Sequence, residues 1–485
     1  MASLTSDMVW LETTTVTVNG KTYEVLYPKV YLKPGNMTLT ADGSLISADT
    51  LVAETKETLK NNASILGNTV VLKGHDIVNL GKILGKDIAI KAERDVIQEG
   101  LITGEDSVAL TAGRDISMGN TILHGKNQDI LDTTAGIAVK GNEGVLLMES
   151  GRDIHLTGAT LEALGDKGSM ILKAGKDLIL DTDSLQAKKD MTENRDNYIR
   201  TYRKTETSDT LAAGKDITLA AGDHVSIRNA VIASKNGAVT AAAAKGDVTV
   251  TNGYNEARDD YGLKYKEKGL LSSKSTAIKS HDEEKKASPA ILSGDTISIL
   301  SGKDTHVSGS QIIAAQDVTA VARGNVHISS APEYEAHDYE KQVKKGGILS
   351  GGGLGFTIGR EKRKDRYDNT GLTERGSTLG SAGGNVLLTS GKDLTVEASA
   401  LAAGKNIDLT GKNVTIISRD NVYTNKEEHE YKRSGISVSL GGNLINTVNS
   451  IAAPLSRAGE VKDRRLTALY GLEAGKNPLP VHREQ

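Results

Sequence analysis

Short apolar–any–apolar triplets recur along most of the chain, each introduced by Gly, a cation and Asp or Asn. Gly85-Lys86-Asp87-Ile88-Ala89-Ile90, Gly113-Arg114-Asp115-Ile116-Ser117-Met118 and Gly151-Arg152-Asp153-Ile154-His155-Leu156 are typical. Gly175-Lys176-Asp177-Leu178-Ile179-Leu180 and Gly214-Lys215-Asp216-Ile217-Thr218-Leu219 repeat them, and weaker copies start at Gly302, Gly391, Gly404 and Gly411. A triplet alternating in this way is a short strand with one face inward and one outward. Gly followed by Asp or Asn reads as the tight turn before it, because these residues tolerate positive φ or bond their own backbone. Asp295 and Asp317 lie 22 residues apart, which fits two or three strands with their turns and sets the expected period. A coil of that size cannot bury its inner face alone, so the coils must stack. The predicted fold is all-β: a right-handed parallel β-helix (a solenoid) of roughly twelve coils, with protruding hairpin or loop excursions and a short helical C-terminal tail.

Four segments break the pattern, near residues 186–209, 253–289, 332–376 and 421–434. They are rich in charge and hold most of the tyrosines, among them Tyr198, Tyr202, Tyr254, Tyr265, Tyr334, Tyr339, Tyr367, Tyr423 and Tyr431. Three of them share one plan, a charged Tyr-bearing arm leading to Gly and an aliphatic residue: Tyr265-Lys266-Glu267-Lys268-Gly269-Leu270, Lys344-Lys345-Gly346-Gly347-Ile348 and Tyr431-Lys432-Arg433-Ser434-Gly435-Ile436. Beyond two of these, Leu354, Phe356 and Ile358, then Ile436, Val438 and Leu440, alternate with small or polar residues. These six are the candidate membrane or partner contacts, since such alternation suits an amphipathic hairpin packed on a flank or a strand facing lipid. The expected organisation is a β-rich lead over 1–48, the repeat region over 49–440 and a helical tail over 441–485. In the tail Leu444, Val448, Ile451 and Leu455 step at helical spacing, with Pro454 interrupting.

Composition sharpens this picture by exclusion. Aromatic residues are 3% of the 485, with one Trp (Trp10) and one Phe (Phe356), so a thick globular core is not expected. A net charge of −3 gives no basic field for nucleic acid. With no Cys there is no disulfide, zinc-thiolate site or thiol nucleophile. The ten His form no His-Glu-x-x-His or comparable spacing, although His306 and His327, nearly one period apart, are expected to stack as a solvated ladder. Lys or Arg beside each Asp argues against calcium, and Gly351-Gly352-Gly353-Leu354-Gly355 lacks the strand and helix that flank a nucleotide loop. No catalytic, cofactor or metal residues are assigned. A β-helix enzyme acting on polysaccharide, the minority alternative, would need acids and aromatics clustered on the coil face, whereas the aromatics lie in the excursions.

The Gly-Lys-Asp repeats with charged Tyr excursions resemble the haemagglutinin-repeat region of filamentous haemagglutinin-like exoproteins, including contact-dependent growth inhibition effectors exported by two-partner secretion. The resemblance covers about residues 50–440. Met8-Val9-Trp10-Leu11 and the run from Val25 to Leu32 are similar to the segment preceding such repeats, and Asp463 to Tyr470 to the stretch that follows them. It implies a virulence-associated filament segment, secreted to the surface of a Gram-negative bacterium through an outer-membrane transporter. Such a segment supports adhesion or toxin delivery, with the target-cell surface (protein, glycan or outer membrane) as partner. Engagement of the outer membrane by the amphipathic hairpins is the alternative it allows. The N-terminus carries no signal-peptide pattern, so the chain is expected to be an internal piece of a longer exoprotein.

Overall fold

The computed structural model describes residues 8–18, 21–31, 44–350 and 355–439. The expected helical tail at 441–485 falls outside them. The chain forms two compact units: Met1–Lys266, Ser275–Val343 and Lys362–Tyr431 in the first, Glu267–Lys274, Lys344–Glu361 and Lys432–Gln485 in the second. In the first unit the backbone at Met8–Val18 and Lys21–Tyr31 pairs as an antiparallel hairpin.

From Leu45 to Ile417 the first unit is a parallel β-helix with three strand faces per coil. One coil runs Ile291–Gly294 on face A, Thr296–Ser301 on face B and Thr305–Ser308 on face C. The next repeats it as Gln311–Ala314, Val318–Ala322 and Val326–Ser329. In early coils one strand, such as Ser64–Gly74 or Lys82–Ala92, runs through faces A and B without a break. Face C is a 12-stranded sheet, so twelve coils stack among the described residues. Ile297 registers with Val318 and Thr305 with Val326, which corrects the period of this coil to one residue below the spacing of Asp295 and Asp317. The chain cuts the corner one residue sooner because Gln316, not Asp317, bonds the carbonyl of Asp295.

Alternate side chains point inward and stack like on like. On face B, Ile88, Val108, Leu146, Met170, Ile217, Val239, Ile297, Val318 and Val386 form one buried column, each in register with the next. Each such burial contributes roughly 1.5–3 kcal/mol. The interior is narrow, and among the described residues the buried core contains no aromatic side chain.

Most copies of the Gly-cation-Asp motif, such as those at Gly113, Gly151, Gly175, Gly302 and Gly391, form the corner between faces B and C, while those at Gly85 and Gly214 lie between faces A and B. At the B–C corner the glycine serves for a reason other than the one its composition suggests. None of the motif glycines has a positive φ. A Cβ on Gly151 would lie 2.2 Å from the Gly113 carbonyl oxygen, and one on Gly175 would lie 2.1 Å from that of Gly151. Glycine is required because the stacked coil leaves no room. Asp does not bond its own turn either: it receives the N–H of its counterpart one coil on. Asp95 N donates to Asp76 Oδ1 at 3.2 Å, Asp153 N to Asp115 at 3.2 Å and Asp177 N to Asp153 at 3.2 Å. Between these carboxylates lie the cations, Arg94 on Asp76 at 2.6 Å and Arg152 on Asp115. Hydrogen bonds from Arg94 and Arg152 hold the Asp76 and Asp115 carboxyls below the usual range.

In the first three coils the corner between faces C and A is a plain two-residue connection, and from the fourth coil on it alternates. In four coils it turns through a single positive-φ residue: Gly158 (64°), Asn229 (47°), Gly309 (53°) and Ala398 (44°). In the coils between them the chain instead leaves as a hairpin. The hairpins are Thr121–His124 with Asp129–Thr133, Ser184–Thr192 with Tyr198–Glu206, Gly253–Lys268 with Ser272–Ser288, and Ala331–Ser350 with Gly355–Arg375. After the twelfth coil comes Val422–Ser439. The first of these, at 121–133, is too short and too poor in Tyr to stand out in the sequence.

One residue of this corner is anomalous. From the fifth coil on, the position before the face-A strand is Ala or Ser (Ala135, Ala159, Ala230, Ala290, Ser310, Ser377 and Ser399), but in one coil it is Asp209. Ser377 Oγ and Ser399 Oγ each accept the N–H of the equivalent residue one coil back, and Asp209 Oδ1 does the same for Ala159 N at 2.6 Å. Asp209 Oδ2 is buried and finds no partner. Burial, with Asp181 nearby, pushes the carboxyl up to about 8.

Two predictions follow from the corner. Ala398→Gly should relieve a left-handed strain of about 1 kcal/mol, slowing amide exchange at Ala400 and Leu401 by about two- to fivefold. Gly309→Ala should accelerate exchange around Gln311, since its Cβ would meet that of Ala331 at 2.5 Å; shifts in the same direction for both variants would contradict this account. A folded pKa of about 8 lies above the unfolded value of 3.8, so neutral Asp209 is fully stabilising below pH ~4 and that contribution is lost as pH rises through 8. Asp209→Ser keeps the acceptor for Ala159. It should therefore stabilise the chain by on the order of a few kcal/mol at pH 8.5, with the gain vanishing near pH 4 in urea titrations.

Candidate functional site

All hairpins of the coil region leave from the same corner, and they pair with one another. The seven longer strands form one sheet in chain order, from Ser184–Thr192 to Val422–Ser439. The short hairpin joins through a bridge between Gln128 and Ala187. Successive hairpins add antiparallel, as where Tyr198–Lys204 pairs with Glu256–Gly262.

Cross-strand polar pairs take the place of an apolar core here. Arg203 forks onto Asp259 at 2.8 and 2.6 Å, Arg258 meets Glu283 at 2.6 Å and Lys264 meets Asp196 at 2.6 Å. Lys285 lies 4.5 Å from the ring centre of Tyr254, and Tyr367 packs against Tyr339 at 6.3 Å and His429 at 5.7 Å. Hydrogen bonds with Asp260 and Asp365 raise His281 and His429 above the ordinary imidazole range, while Arg258 lowers Glu283. A trough of about 550 Å³ crosses the sheet within the first unit, lined by residues from Arg203 on one side to Tyr423 on the other.

The second unit contains the candidate contact residues. Phe356, Ile358 and Ile436 are 37%, 55% and 76% exposed, while Thr357 between the first two is 4% exposed. Thr357 and Ser437 hydroxyls lie 2.9 Å apart, and Arg433 donates to Thr357 Oγ1 at 3.0 Å. The usual order is inverted here: the Thr357 hydroxyl is turned inward, while Phe356, Ile358 and Ile436 are turned outward. Leu354, Leu440 and the side chain of Val438 lie outside the described residues. Leu270 (99% exposed) and Leu271 (64%) share this unit and were missed because they lie at a hairpin turn without alternation. Among its described residues the unit carries seven cations (Lys268, Lys274, Lys344, Lys345, Arg360, Lys432 and Arg433) against Glu267 and Glu361.

On face C, His306 and His327 are in register on adjacent coils, with ring centres 5.1 Å apart. Burial lowers the His306 pKa, with His327 adding to the effect, and His327 reaches Glu397 at 3.4 Å. Among the described residues no group of three or more His, Asp or Glu is placed to hold a metal ion, and no helix is long and apolar enough to cross a membrane.

Comparison with known proteins agrees with this architecture. A family model described as hemagglutinin repeat matches residues 193–346 and 269–435, which together span half of the chain. Similar proteins include a tRNA nuclease CdiA of Escherichia coli O6:K15:H31, 33% identical over 222 residues, or 44% of this chain and 7% of that protein. A 16S rRNA endonuclease CdiA of Enterobacter cloacae is 35% identical over 208 residues, 42% of this chain and 6% of that protein. A deoxyribonuclease CdiA of Dickeya dadantii is 28% identical over 560 residues, 98% of this chain and 16% of that protein. The chain thus spans a small part of the length of each of these relatives. No solved structure matches it. Stacked Gly-Asp coils, Tyr-bearing hairpins and the match over residues 193–435 together place the chain in the hemagglutinin-repeat family.

Proposed function

We propose that this chain is a non-catalytic structural segment of a secreted exoprotein on the surface of a Gram-negative bacterium. It lengthens and stiffens a filament that supports adhesion or carries a toxin to a neighbouring cell. The observation that carries this reading is the in-register stacking of twelve coils on all three faces, in which each coil adds length without adding a new core. The similarity to CdiA proteins supports the delivery role, with an outer-membrane transporter as the export partner and the target-cell surface as the contact.

A second reading is favoured by the second unit alone. Outward Leu270, Phe356, Ile358 and Ile436 beside seven cations suit an anionic outer-membrane surface, where apolar area and basic charge act together.

Removing 297–385 from the full-length secreted protein deletes two coils with their hairpin and rejoins equivalent positions, Thr296 to Val386. A length-bearing segment should tolerate this, with export and delivery intact; removing only 318–385 deletes one coil, breaks the alternation and should unfold the side sheet. Loss of delivery by a folded two-coil deletion would show that the segment carries more than length. For the second reading, the chain should float with vesicles containing anionic lipid, and Phe356→Ser/Ile358→Ser/Ile436→Ser should reduce that binding about tenfold. Equal flotation of the triple variant would remove the hairpin ends from membrane contact.

A further inference from the structure

The trough on the side sheet has lining chemistry that neither reading above uses. Carboxylates supply much of its wall, but their charges are largely compensated. Asp259 is forked by Arg203, and Glu284 and Asp282 meet Lys286 and His337. Such groups are oriented hydrogen-bond acceptors rather than an open negative field, and Asn369 and Asn425 beside them offer both donors and acceptors. Glu335 lies across Gly371, where a Cβ would come within 2.9 Å of its Cγ and Oε1, so glycine leaves the floor open.

Aromatic rings border this polar floor. Tyr423, 61% exposed, lines the trough directly. Alternate residues share a sheet face, so Tyr339 follows His337, Tyr367 precedes Asn369, and His429 lies on the side of Asn425. The three rings form a contiguous row, with centres 6.3 and 5.7 Å apart.

We propose that this trough binds a neutral, hydroxyl-rich oligosaccharide. The apolar C–H face of a pyranose stacks on Tyr423, and its hydroxyls bond the paired carboxylates and the two Asn amides. A phosphorylated or sulfated ligand would set acceptor oxygens against the acceptor carboxylates of Asp259, Asp282, Glu284 and Glu335. A cationic peptide would have to displace Arg203, Lys286 and His337 from theirs. The proposal rests on the reading of the chain as a cell-contact segment and names the partner chemistry of that contact.

The test is calorimetric titration of the full chain with neutral hexasaccharides of N-acetylglucosamine, glucose, galactose and mannose. A glucosamine hexamer, a heparin hexasaccharide and a lysine peptide serve as charge controls. At least one neutral hexamer should bind with a Kd below about 1 mM. Tyr423→Ala should weaken it about tenfold with an unchanged melting curve, and Tyr423→Phe should restore it to within about twofold. Glu335→Gln, which keeps the shape and an acceptor, should retain binding. Binding of the cationic probes alone, no binding of any neutral hexamer, or binding unaffected by Tyr423→Ala would each overturn the proposal. Vesicle flotation of the same preparation is scored separately, so a chain that floats without binding sugar overturns this inference and leaves the cell-contact reading standing.

Discussion

The hydrogen-bonding distance between neighbouring strands, about 4.8 Å, is the constraint on which the rest of this structure depends. It fixes the rise of one coil on every face. It also fixes the width of a hairpin, which occupies two strand spacings, or about 9.6 Å. From the fourth coil on, hairpins leave the C–A corner of every second coil, so their origins are separated by that same distance. They therefore arrive already spaced to pair edge to edge, and a second sheet grows beside the coils without any added element. The intervening coils, having no hairpin, must close the corner tightly, and they do so with one left-handed residue each.

The same stacking explains the repeat motif. At the B–C corner the backbones of successive coils come so close that a Cβ would strike a carbonyl, and each Asp or Asn caps the amide of the next coil. Arg and Lys fill the gaps between carboxylates that would otherwise repel down the column. These exposed pairs are individually weak, and their contribution is to keep a ladder of like charges tolerable. Asp209 shows what happens when a carboxylate enters a corner without such a cation on its second oxygen: it remains buried and its pKa climbs.

The coils and the side sheet divide the chemistry between them. Among the described residues the coil interior buries no aromatic side chain; its width suits branched aliphatics, Met, Ala and a few polar side chains such as the Asn61–Asn79–Gln98 ladder. The tyrosines and much of the paired charge are carried on the hairpins, where both faces of a sheet are available and cross-strand pairs supply cohesion. A surface of that kind can change without disturbing the stack beneath it, which suits recognition carried on a rigid support.

Triplet alternation and Gly-Asp spacing determined the parallel β-helix and its approximate coil length, since inward aliphatics every second residue have no other way to be buried. They also placed His306 beside His327, one period apart. Phe356, Ile358 and Ile436 were legible as an alternating set, although the burial of Thr357 between the first two was not. The role of the motif Gly and Asp was misjudged from composition, because the carbonyl and amide they serve belong to another coil. Only the tertiary structure decided that all hairpins of the coil region leave one corner, that they form a single sheet, and that Tyr423, Glu335 and Arg203 share a trough. Those residues are separated by up to 220 positions in the sequence, and they meet because equal strand spacing carries each hairpin to the edge of the one before it.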